Sequence, residues 1–423
     1  MTIADLVPGP FRRERRPPTD GFAPSRRRLL ALLGPAFVAS IAYVDPGNFA
    51  TNTAAGASAG YALAWVVVAA SGLAMLIQTL SGKLGLATGH NLPELCRLHF
   101  PRPVSLGLWV QAEIVAMATD LAEVLGGAVA LNLLFGVPPV AGGVLTAAVA
   151  MALLTLSGRR QRTFEYVVGG MLLTILAGFA YNLVLVRPDA AGVARGLVPD
   201  LPGDDAFVLA TGILGATVMP HVIYLHGALT QQRGEARPDV RRYLRAHRID
   251  VLVAMSVAGL VNLGMLVLAG RLFHGSVLPD LDTLEGAHAA LGRLLDAPAA
   301  TAFALALLAS GFASAGVGTY AGQVVMEGFL RRRAPLLARR LLTLVPALVV
   351  LVLGIDATRA LVVSQVVLSF GIPFALVPLV LLGRRRDVMG DLADARGTTV
   401  AAAVASALVV VLNGLLLVRL VTG

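Results

Sequence analysis

Three features of the sequence predict an all-α polytopic membrane protein. Of the 423 residues, 57% are hydrophobic and only 14% are charged, with a mean hydropathy of +0.77, whereas a soluble domain carries about 25% charged residues. The apolar residues recur in runs of about 20, the length that an α-helix needs to cross a bilayer. The basic residues lie between these runs. A soluble globular protein is therefore excluded.

The apolar runs define eleven predicted spans when a window of about 20 residues is applied. Their approximate limits are 29–57, 60–82, 104–135, 139–157, 164–186, 206–232, 248–272, 296–330, 337–354, 358–383 and 398–421. The third and eighth spans exceed the length of one crossing, and we expect them to tilt or to extend beyond the bilayer.

The distribution of basic residues orients these spans. With a cytoplasmic N-terminus and alternating spans, 28 of the 34 Lys and Arg residues lie on the cytoplasmic side, as the positive-inside rule requires. Adding or removing a span in the middle would mix the two sides, so the pattern supports an outer C-terminus. Residues 1–28, rich in Arg and Pro, are predicted to be a disordered basic tail that helps to set this orientation.

Composition and missing motifs narrow the class of function. The net charge of +9 does not indicate a nucleic-acid partner, because the basic residues are scattered between spans. The single cysteine, Cys96, excludes an intramolecular disulfide and a cysteine-based metal cluster. The sequence contains no GxxxxGK[ST] and no HExxH motif. Gradient-driven transport is therefore the expected function, with the lipid bilayer as surroundings, no permanently bound cofactor and no obligatory protein partner.

The first span is interrupted by Asp45-Pro46-Gly47-Asn48. A proline inside a helix removes a hydrogen bond, and a following glycine loosens the backbone further. Unwound backbone is tolerated in a membrane only where it is buried in protein or lines a cavity. A carboxylate at mid-membrane costs at least about 2.5–3.5 kcal/mol. The sequence thus predicts a helix break that exposes carbonyls such as that of Ala42, and a bound cation would offset the cost of Asp45.

The sixth span repeats this feature in the segment from Ala216 to His221, which contains Met219-Pro220. Spans 1 and 6 begin two five-span halves, and proline-broken helices at matching positions indicate an inverted-repeat transporter with a midplane site. We expect a first repeat at 29–186, a second at 206–383 and an additional span at 398–421.

The donor atoms near the two breaks are of mixed type. Asp45 offers a carboxylate, Asn48 an amide oxygen, Met219 a thioether, and the breaks offer backbone carbonyls. Hard ions such as magnesium and calcium prefer all-oxygen shells, whereas a thioether favours softer transition metals. A methionine in a membrane helix usually packs, but its place beside a helix-breaking proline favours a ligand here.

Ionisable residues elsewhere in the spans suggest a route for protons. Glu113, Asp120 and Glu123 share one face of span 3. Such a row either relays protons or forms a static ion pair with a buried arginine, and its cost favours the relay. His221 and His226 are the only histidines inside a predicted span. His221, beside the break, is expected to accept a proton or to form a gate hydrogen bond, with a neutral histidine bonded to a neighbouring carbonyl as the alternative; His226 is expected to be structural.

The chain resembles the Nramp family of divalent-metal transporters. The resemblance is carried by SIAYVDPGNFATN, AEIVAMATDLAEVLGGA, GATVMPHVIYLH and SQVVLSFGIPFALVPL, and it extends from about residue 30 to the C-terminus. It implies a LeuT-type fold and proton-coupled import of Mn²⁺ or Fe²⁺ across a bacterial inner membrane, with Cd²⁺ and Co²⁺ as further cargo. The implied metal ligands are the side chains of Asp45, Asn48, Met219 and Gln365 and the carbonyls of Ala42 and Ala216.

The resemblance also assigns Asp120 and Glu123 to a proton route and offers Arg340, at the start of span 9, as their partner. The match departs after the second break, where many members have Asn in place of Val222 and Ser in place of Gly227. These departures leave the ligands intact and affect the outer half of the pathway.

Three functions other than metal transport are also possible interpretations of the sequence. A symporter of a small organic solute would need an amine or carboxylate pocket and would give Met219 no role. A membrane-embedded metalloenzyme would need a second cluster of ligands, which the sequence does not offer. A passive channel would not need broken helices tied to a row of carboxylates, which favour coupled transport.

Overall fold

Helices form the regular secondary structure of the described residues, which are 34–159, 161–234, 240–331 and 336–422 of the computed structural model. The α-helices are α1 Pro35–Ala42, α2 Pro46–Ala59, α3 Ala64–Thr88, α4 Leu92–His99, α5 Arg102–Phe135, α6 Pro139–Arg159, α7 Gln161–Val186, α8 Ala190–Arg195, α9 Gly203–Thr217, α10 Pro220–Gly234, α11 Val240–Leu272, α12 Leu284–Leu294, α13 Ala297–Leu330, α14 Leu336–Val352, α15 Ala357–Gly383, α16 Arg386–Met389 and α17 Arg396–Thr422.

The eleven predicted spans all coincide with helices. In the described part of the chain, nine segments are long and apolar enough to cross a membrane, and α9 with α10 forms one of them. The other two predicted spans are the broken pair α1 and α2, and α14, whose apolar part is Leu341–Val352. The all-α polytopic fold class is thereby confirmed, with spans 1 and 6 broken as expected. The predicted tail, 1–28, lies outside the described residues, and the division into two repeats remains a prediction.

The two long spans are single helices. The helices α5 and α13 have 34 residues each. At a rise of about 1.5 Å per residue each is about 50 Å long, whereas the hydrocarbon core is about 30 Å thick. Both helices therefore extend beyond the apolar layer or cross it at a tilt, as the sequence predicts.

The halves of the first broken span lie at the centre of the bundle. Seven of the eight residues of α1 and eleven of the fourteen residues of α2 are buried. Phe49 of α2 contacts Phe179 of α7 and Phe303 of α13 edge to face, with ring centroids 5.2 Å and 5.8 Å away. The helix α5 reaches the break through Gly126, where a Cβ would lie 2.0 Å from Cβ of Pro46. Small residues allow this close helix packing in a membrane.

The second broken span packs against α15 in a similar way. A Cβ built at Gly215 would lie 1.9 Å from the backbone oxygen of Gln365 and 3.0 Å from the backbone nitrogen of Ser369. The backbone of a helix cannot move aside as the end of a flexible side chain can. Glycine is therefore required at 215 for α9 to approach α15.

We expect Gly215→Ala to destabilise the protein by about 3 kcal/mol, the upper part of the usual range for overpacking. The matched control is Gly227→Ala in the same broken span, where the nearest atom to a new Cβ is Ser81 Oγ at 3.4 Å, an ordinary contact. Thermal unfolding of the purified proteins in detergent measures the difference. Equal unfolding midpoints for the two variants would contradict the close approach of α9 to α15.

Candidate functional site

The first break is a short turn between α1 and α2. Asp45 is the N-cap residue of α2, and its side chain accepts a hydrogen bond from the backbone N–H of Asn48 at 2.9 Å. Tyr43 and Val44 form the turn, and their carbonyls accept hydrogen bonds from Asn262 Nδ2 at 2.8 Å and from Ser310 Oγ at 2.6 Å. Side chains of α11 and α13 thus satisfy part of the backbone that the break leaves unpaired, as burial requires.

The second break has the same chemistry. The helix α9 ends at Thr217, Val218 and Met219 connect, and Pro220 begins α10. In an α-helix, each carbonyl accepts from the N–H four residues further on. For Ala42 and Ala216 that residue is a proline, Pro46 and Pro220 respectively, which has no N–H. Each break therefore leaves one alanine carbonyl available to another donor or to a cation.

The amide of Asn48 joins the two breaks. Its Nδ2 donates to Asp45 Oδ1 at 2.7 Å and to the carbonyl oxygen of Ala216 at 3.0 Å. Asp45 Oδ2 and Asn48 Oδ1 are buried and have no hydrogen-bond partner among the described residues. Buried oxygens without a partner are rare and costly. The two oxygens belong to residues that hydrogen-bond to each other at the junction of two broken helices, where a bound cation would supply the missing partner.

Gln365 of α15 lies against both breaks. A Cβ at Gly47 would lie 1.9 Å from Gln365 Nε2, so the Gln365 side chain contacts the first break, while its backbone contacts Gly215 of α9. The side chain is fully buried, Nε2 donates to Ser364 Oγ at 3.2 Å, and Oε1 has no hydrogen-bond partner in the described part of the chain. A third buried oxygen without a partner thus belongs to this junction.

Met219 is fully buried at the second break and belongs to the same apolar core as Ala42. Within the described residues, no group of three or more His, Cys, Asp or Glu side chains could hold a metal ion. A cation at the junction would therefore depend on one carboxylate together with amide, carbonyl and thioether donors. Such a set is within reach of a transition metal.

The predicted row of acids lies on α5 with unequal burial. Asp120 and Glu123 are buried, whereas Glu113 is half-buried. All three have interaction partners. The carboxylate of Glu123 lies over Gly318 of α13, where a Cβ would be 2.4 Å from Oε1. Arg340, the predicted partner, has its backbone in α14, and its side chain is outside the described part of the structure.

His221 connects the second break to this row. It is buried in the first turn of α10, and its Nδ1 lies 3.2 Å from the hydroxyl of Thr119, the neighbour of Asp120. That hydroxyl also lies 3.0 Å from the Val115 carbonyl, so Thr119 has two partners for its single proton, and the donor in the contact with His221 depends on the tautomer of the ring. The contact links the second break to the helix that carries the acids, and the role of His221 in proton transfer or gating stays a prediction.

A second polar chain was missed by sequence reasoning. Gln78 of α3 donates to the hydroxyl of Tyr43, and His226 Nδ1 lies 2.7 Å from Gln78 Oε1. A lone glutamine inside the apolar run 60–82 was the available signal, because a buried amide in a span needs partners.

A third histidine lies close to these spans. The helix that holds the seventh predicted span is longer than that span, and its candidate crossing segment is Tyr243–Leu272. His247, just before the predicted start at residue 248, is part of this helix, is buried, and its ring centroid is 5.1 Å from that of His226.

A cavity of about 570 Å³ lies away from the breaks, around α12 and the neighbouring connections. Its acidic lining residues are Asp280, Glu285 and Asp356. Burial, with Asp356 nearby, raises the pKa of Glu285 above its usual value. The cavity contains none of the residues at the junction of the broken helices and is a separate feature of the molecule.

Comparison with known proteins gives consistent matches over nearly the whole chain. The family model for "Natural resistance-associated macrophage protein-like" (Nramp) sequences matches residues 36–419. The divalent metal cation transporter MntH of Deinococcus radiodurans is 51% identical, over 94% of this chain and 92% of that protein. The protein of the same name from Yersinia pestis is 50% identical, over 94% of this chain and 97% of that protein.

Solved structures agree with this result. The manganese transporter of Eremococcus coleocola, in complex with an aromatic bis-isothiourea compound, aligns with a TM-score of 0.83 at 31% identity, over 98% of this chain and 90% of that chain. Mhp1, a nucleobase-cation-symport-1 family transporter, aligns with a TM-score of 0.57 at 17% identity, over 85% of this chain and 81% of that chain, which is a likeness of fold alone. The architecture is consistent with a LeuT-type fold. The chain belongs to the Nramp family.

Proposed function

We propose that this protein imports divalent transition-metal ions, Mn²⁺ and Fe²⁺, through a multi-pass membrane fold, with protons entering alongside the metal. The observation that carries the proposal is the junction of the two broken helices. Unpartnered oxygens of Asp45, Asn48 and Gln365 meet there, buried and beside two proline-freed carbonyls. The relatives named above are divalent metal cation and manganese transporters, and Nramp proteins are transporters rather than enzymes, which excludes the membrane-embedded enzyme.

In the proposed site, each ligand has a separate task. Asp45 supplies the negative charge that offsets part of the charge of a divalent ion. Asn48, Gln365 and the carbonyls of Ala42 and Ala216 supply neutral oxygens, and Met219 supplies a soft donor that favours transition metals over calcium and magnesium. The metal is the cargo in this scheme, and Cd²⁺ and Co²⁺ would be accepted through the same donors.

In an alternating-access mechanism, the metal site would be exposed first to one side of the membrane and then to the other. We place the first repeat at 29–186, the second at 206–383 and the additional span at 398–421. The half-helices α1 and α10 would lie toward the cytoplasm and α2 and α9 toward the outside, given a cytoplasmic N-terminus. Val222 and Gly227, which depart from the family pattern, belong to α10 and would thus affect the cytoplasmic half of the pathway, not the outer half expected from the sequence. The excess of basic residues on that side supports this orientation, and a bacterial inner membrane is the proposed location.

The proton route would run from the second break along α5. His221 hydrogen-bonds to Thr119, and Asp120 and Glu123 follow within the next turn of the same helix. Glu113, seven residues before Asp120, is half-buried and would continue the route toward one end of α5. Arg340 is proposed to pair with these acids and to release them during transport.

A liposome assay with manganese, calcium and a trapped pH-sensitive dye tests the proposed function. The reconstituted protein is expected to admit manganese, to exclude calcium, and to acidify the lumen when manganese enters. Manganese uptake no faster than in empty liposomes would refute metal import. Uptake of manganese without acidification would refute proton entry and leave the metal site standing.

Replacing the proposed proton carrier separates the two fluxes. In Asp120→Asn we expect manganese uptake to continue at a reduced rate while dye acidification falls to background, because the amide cannot carry a proton. The same assay measures both fluxes. Glu165→Gln is the matched control, because it makes the same type of change at a partly buried acid of α7 outside the proposed route. Unaltered proton flux in Asp120→Asn would show that Asp120 is not part of the route.

A further inference from the structure

The half-helix α1 has no side-chain cap of its own. It is eight residues long, and its N-cap position is Gly34, which has no side chain to accept from the first turn. The N–H of Phe37 bonds to the Gly34 carbonyl at 3.1 Å, which leaves the N–H of Ala36 for an acceptor from elsewhere. Isolated helices shorter than about 12–15 residues are marginal even in favourable sequences. The conformation of α1 must therefore come from contacts with other parts of the chain.

Asp250 of α11 supplies the missing cap from a distant part of the sequence. Its Oδ2 accepts a hydrogen bond from the backbone N–H of Ala36 at 3.2 Å. The carboxylate fits against Gly34 so closely that a Cβ there would lie 2.0 Å from Oδ2 and 2.6 Å from Cγ. A carboxylate at a helix N-terminus satisfies an orphan N–H and interacts favourably with the helix dipole.

The same helix also holds the other end of α1. Asn262 of α11 donates to the carbonyl of Tyr43, the residue that follows α1, at 2.8 Å. Both ends of α1 are thus fixed by polar side chains of one neighbouring helix. Ala42, whose carbonyl lacks its helical N–H partner because Pro46 lies four residues further on, is the last residue of α1.

We propose that Asp250 is a positioning residue, a latch that caps α1 and holds this half-helix against α11. The inference rests on the proposed function in one respect, the alternating access, and adds that α1 shifts relative to α11 when the site opens toward the cytoplasm. The hydrogen bond to Ala36 and the fit at Gly34 are the contacts that such a movement has to break. Asp250 lies outside the metal site and acts on it through α1.

Hydrogen exchange of residues 34–43, followed by mass spectrometry in detergent, tests the latch without any metal. Asp250→Ala is expected to speed exchange in this segment about tenfold, the factor that loss of one helix cap implies. The matched control is Asp296→Ala, which removes an N-cap carboxylate from α13, where Asp296 Oδ1 accepts from Ala299 N at 2.7 Å. It should leave exchange of 34–43 unchanged. Unchanged exchange in Asp250→Ala would overturn the proposal.

A double-mutant cycle tests the contact from its other side. Gly34→Ala should displace the Asp250 carboxylate and speed exchange as Asp250→Ala does. In Asp250→Ala the space for the new Cβ is free, so the double variant should exchange no faster than Asp250→Ala alone. If exchange in the double variant were instead about a hundredfold faster, the product of the two single increases, the two residues would act independently. That result would overturn the latch.

Transport measurements distinguish the effect of the latch on uptake rate from the effect of the metal ligands on ion selectivity. In Asp250→Ala we expect the maximal manganese uptake rate to fall severalfold while exclusion of calcium is kept, because Met219 lies on the other break. If Asp250→Ala does not purify as a monodisperse protein, Asp250→Asn, which keeps the volume and one acceptor oxygen, replaces it, with an exchange increase of about threefold expected. Lost calcium exclusion in a folded variant would count against a role through α1.

Discussion

Manganese uptake is expected to fall to the level of empty liposomes in Asp45→Ala. Asp45 is the one acidic side chain that the junction of broken helices contributes to the proposed ligand shell, and it is 1% exposed. A divalent ion that leaves water for a buried site needs a compensating negative charge. Without the carboxylate, the remaining donors are neutral. Asn48→Ala should act in the same direction, because it removes both an oxygen and the hydrogen bonds between the breaks.

The control for Asp45 is the isosteric variant. Asp45→Asn keeps an oxygen that can accept from the Asn48 N–H and therefore keeps the cap of α2. We expect it to purify and to bind lipid as the unchanged protein does, yet to import no manganese. If Asp45→Asn imported manganese at the unchanged rate, the carboxylate would be a helix cap and not a ligand, and the site would have to be placed elsewhere.

Calcium uptake is expected to appear in Met219→Ala, while much of the manganese uptake remains. The thioether is the one soft donor of the proposed shell, and its removal leaves an all-oxygen set of the kind that calcium prefers. We expect the preference for manganese over calcium to fall by about tenfold or more, which corresponds to about 1.4 kcal/mol. Competition between the two ions in the liposome assay measures the preference.

A second buried methionine controls for loss of packing. Met255 of α11 is 2% exposed and lies outside the breaks. Met255→Ala should cost stability, as any large-to-small change in a core does, and should leave the exclusion of calcium intact. If calcium stayed excluded in Met219→Ala, or entered equally in Met255→Ala, selectivity would not depend on a sulfur ligand.

The fold was largely predictable because its determinants are local in sequence. Apolar runs of spanning length and the placement of arginines defined eleven spans, and Pro46 and Pro220 defined the breaks through their missing N–H groups. The differences lie where composition is mixed. The helix that holds the seventh predicted span begins several residues earlier than the span, because charged residues surround His247. The connecting helices α4, α8, α12 and α16 were not predicted, because they are short and lie outside the apolar runs.

The candidate site was predictable in its members but not in its connections. Asp45, Asn48 and Met219 stand out in the sequence because polar or helix-breaking residues in a span need a reason. That Asn48 joins Asp45 to Ala216, that Gln78 reaches Tyr43, and that Asp250 caps α1 depend on which side chains meet across distant parts of the chain. Such contacts depend on packing, which a single sequence does not display.

The hydrogen bonds of Asn48 have a consequence for how strongly the carrier holds its cargo. One amide group ties Asp45 to Ala216 across the two breaks, through Asp45 Oδ1 and the Ala216 carbonyl. Asp45 Oδ2, Asn48 Oδ1 and Gln365 Oε1 have no hydrogen-bond partner in the described part of the chain, so an arriving ion would bind them without breaking a hydrogen bond. To recruit the Ala216 carbonyl as well, the ion would have to displace the Asn48 N–H from it. Part of the binding free energy would be spent on that exchange, which would lower the affinity and ease release.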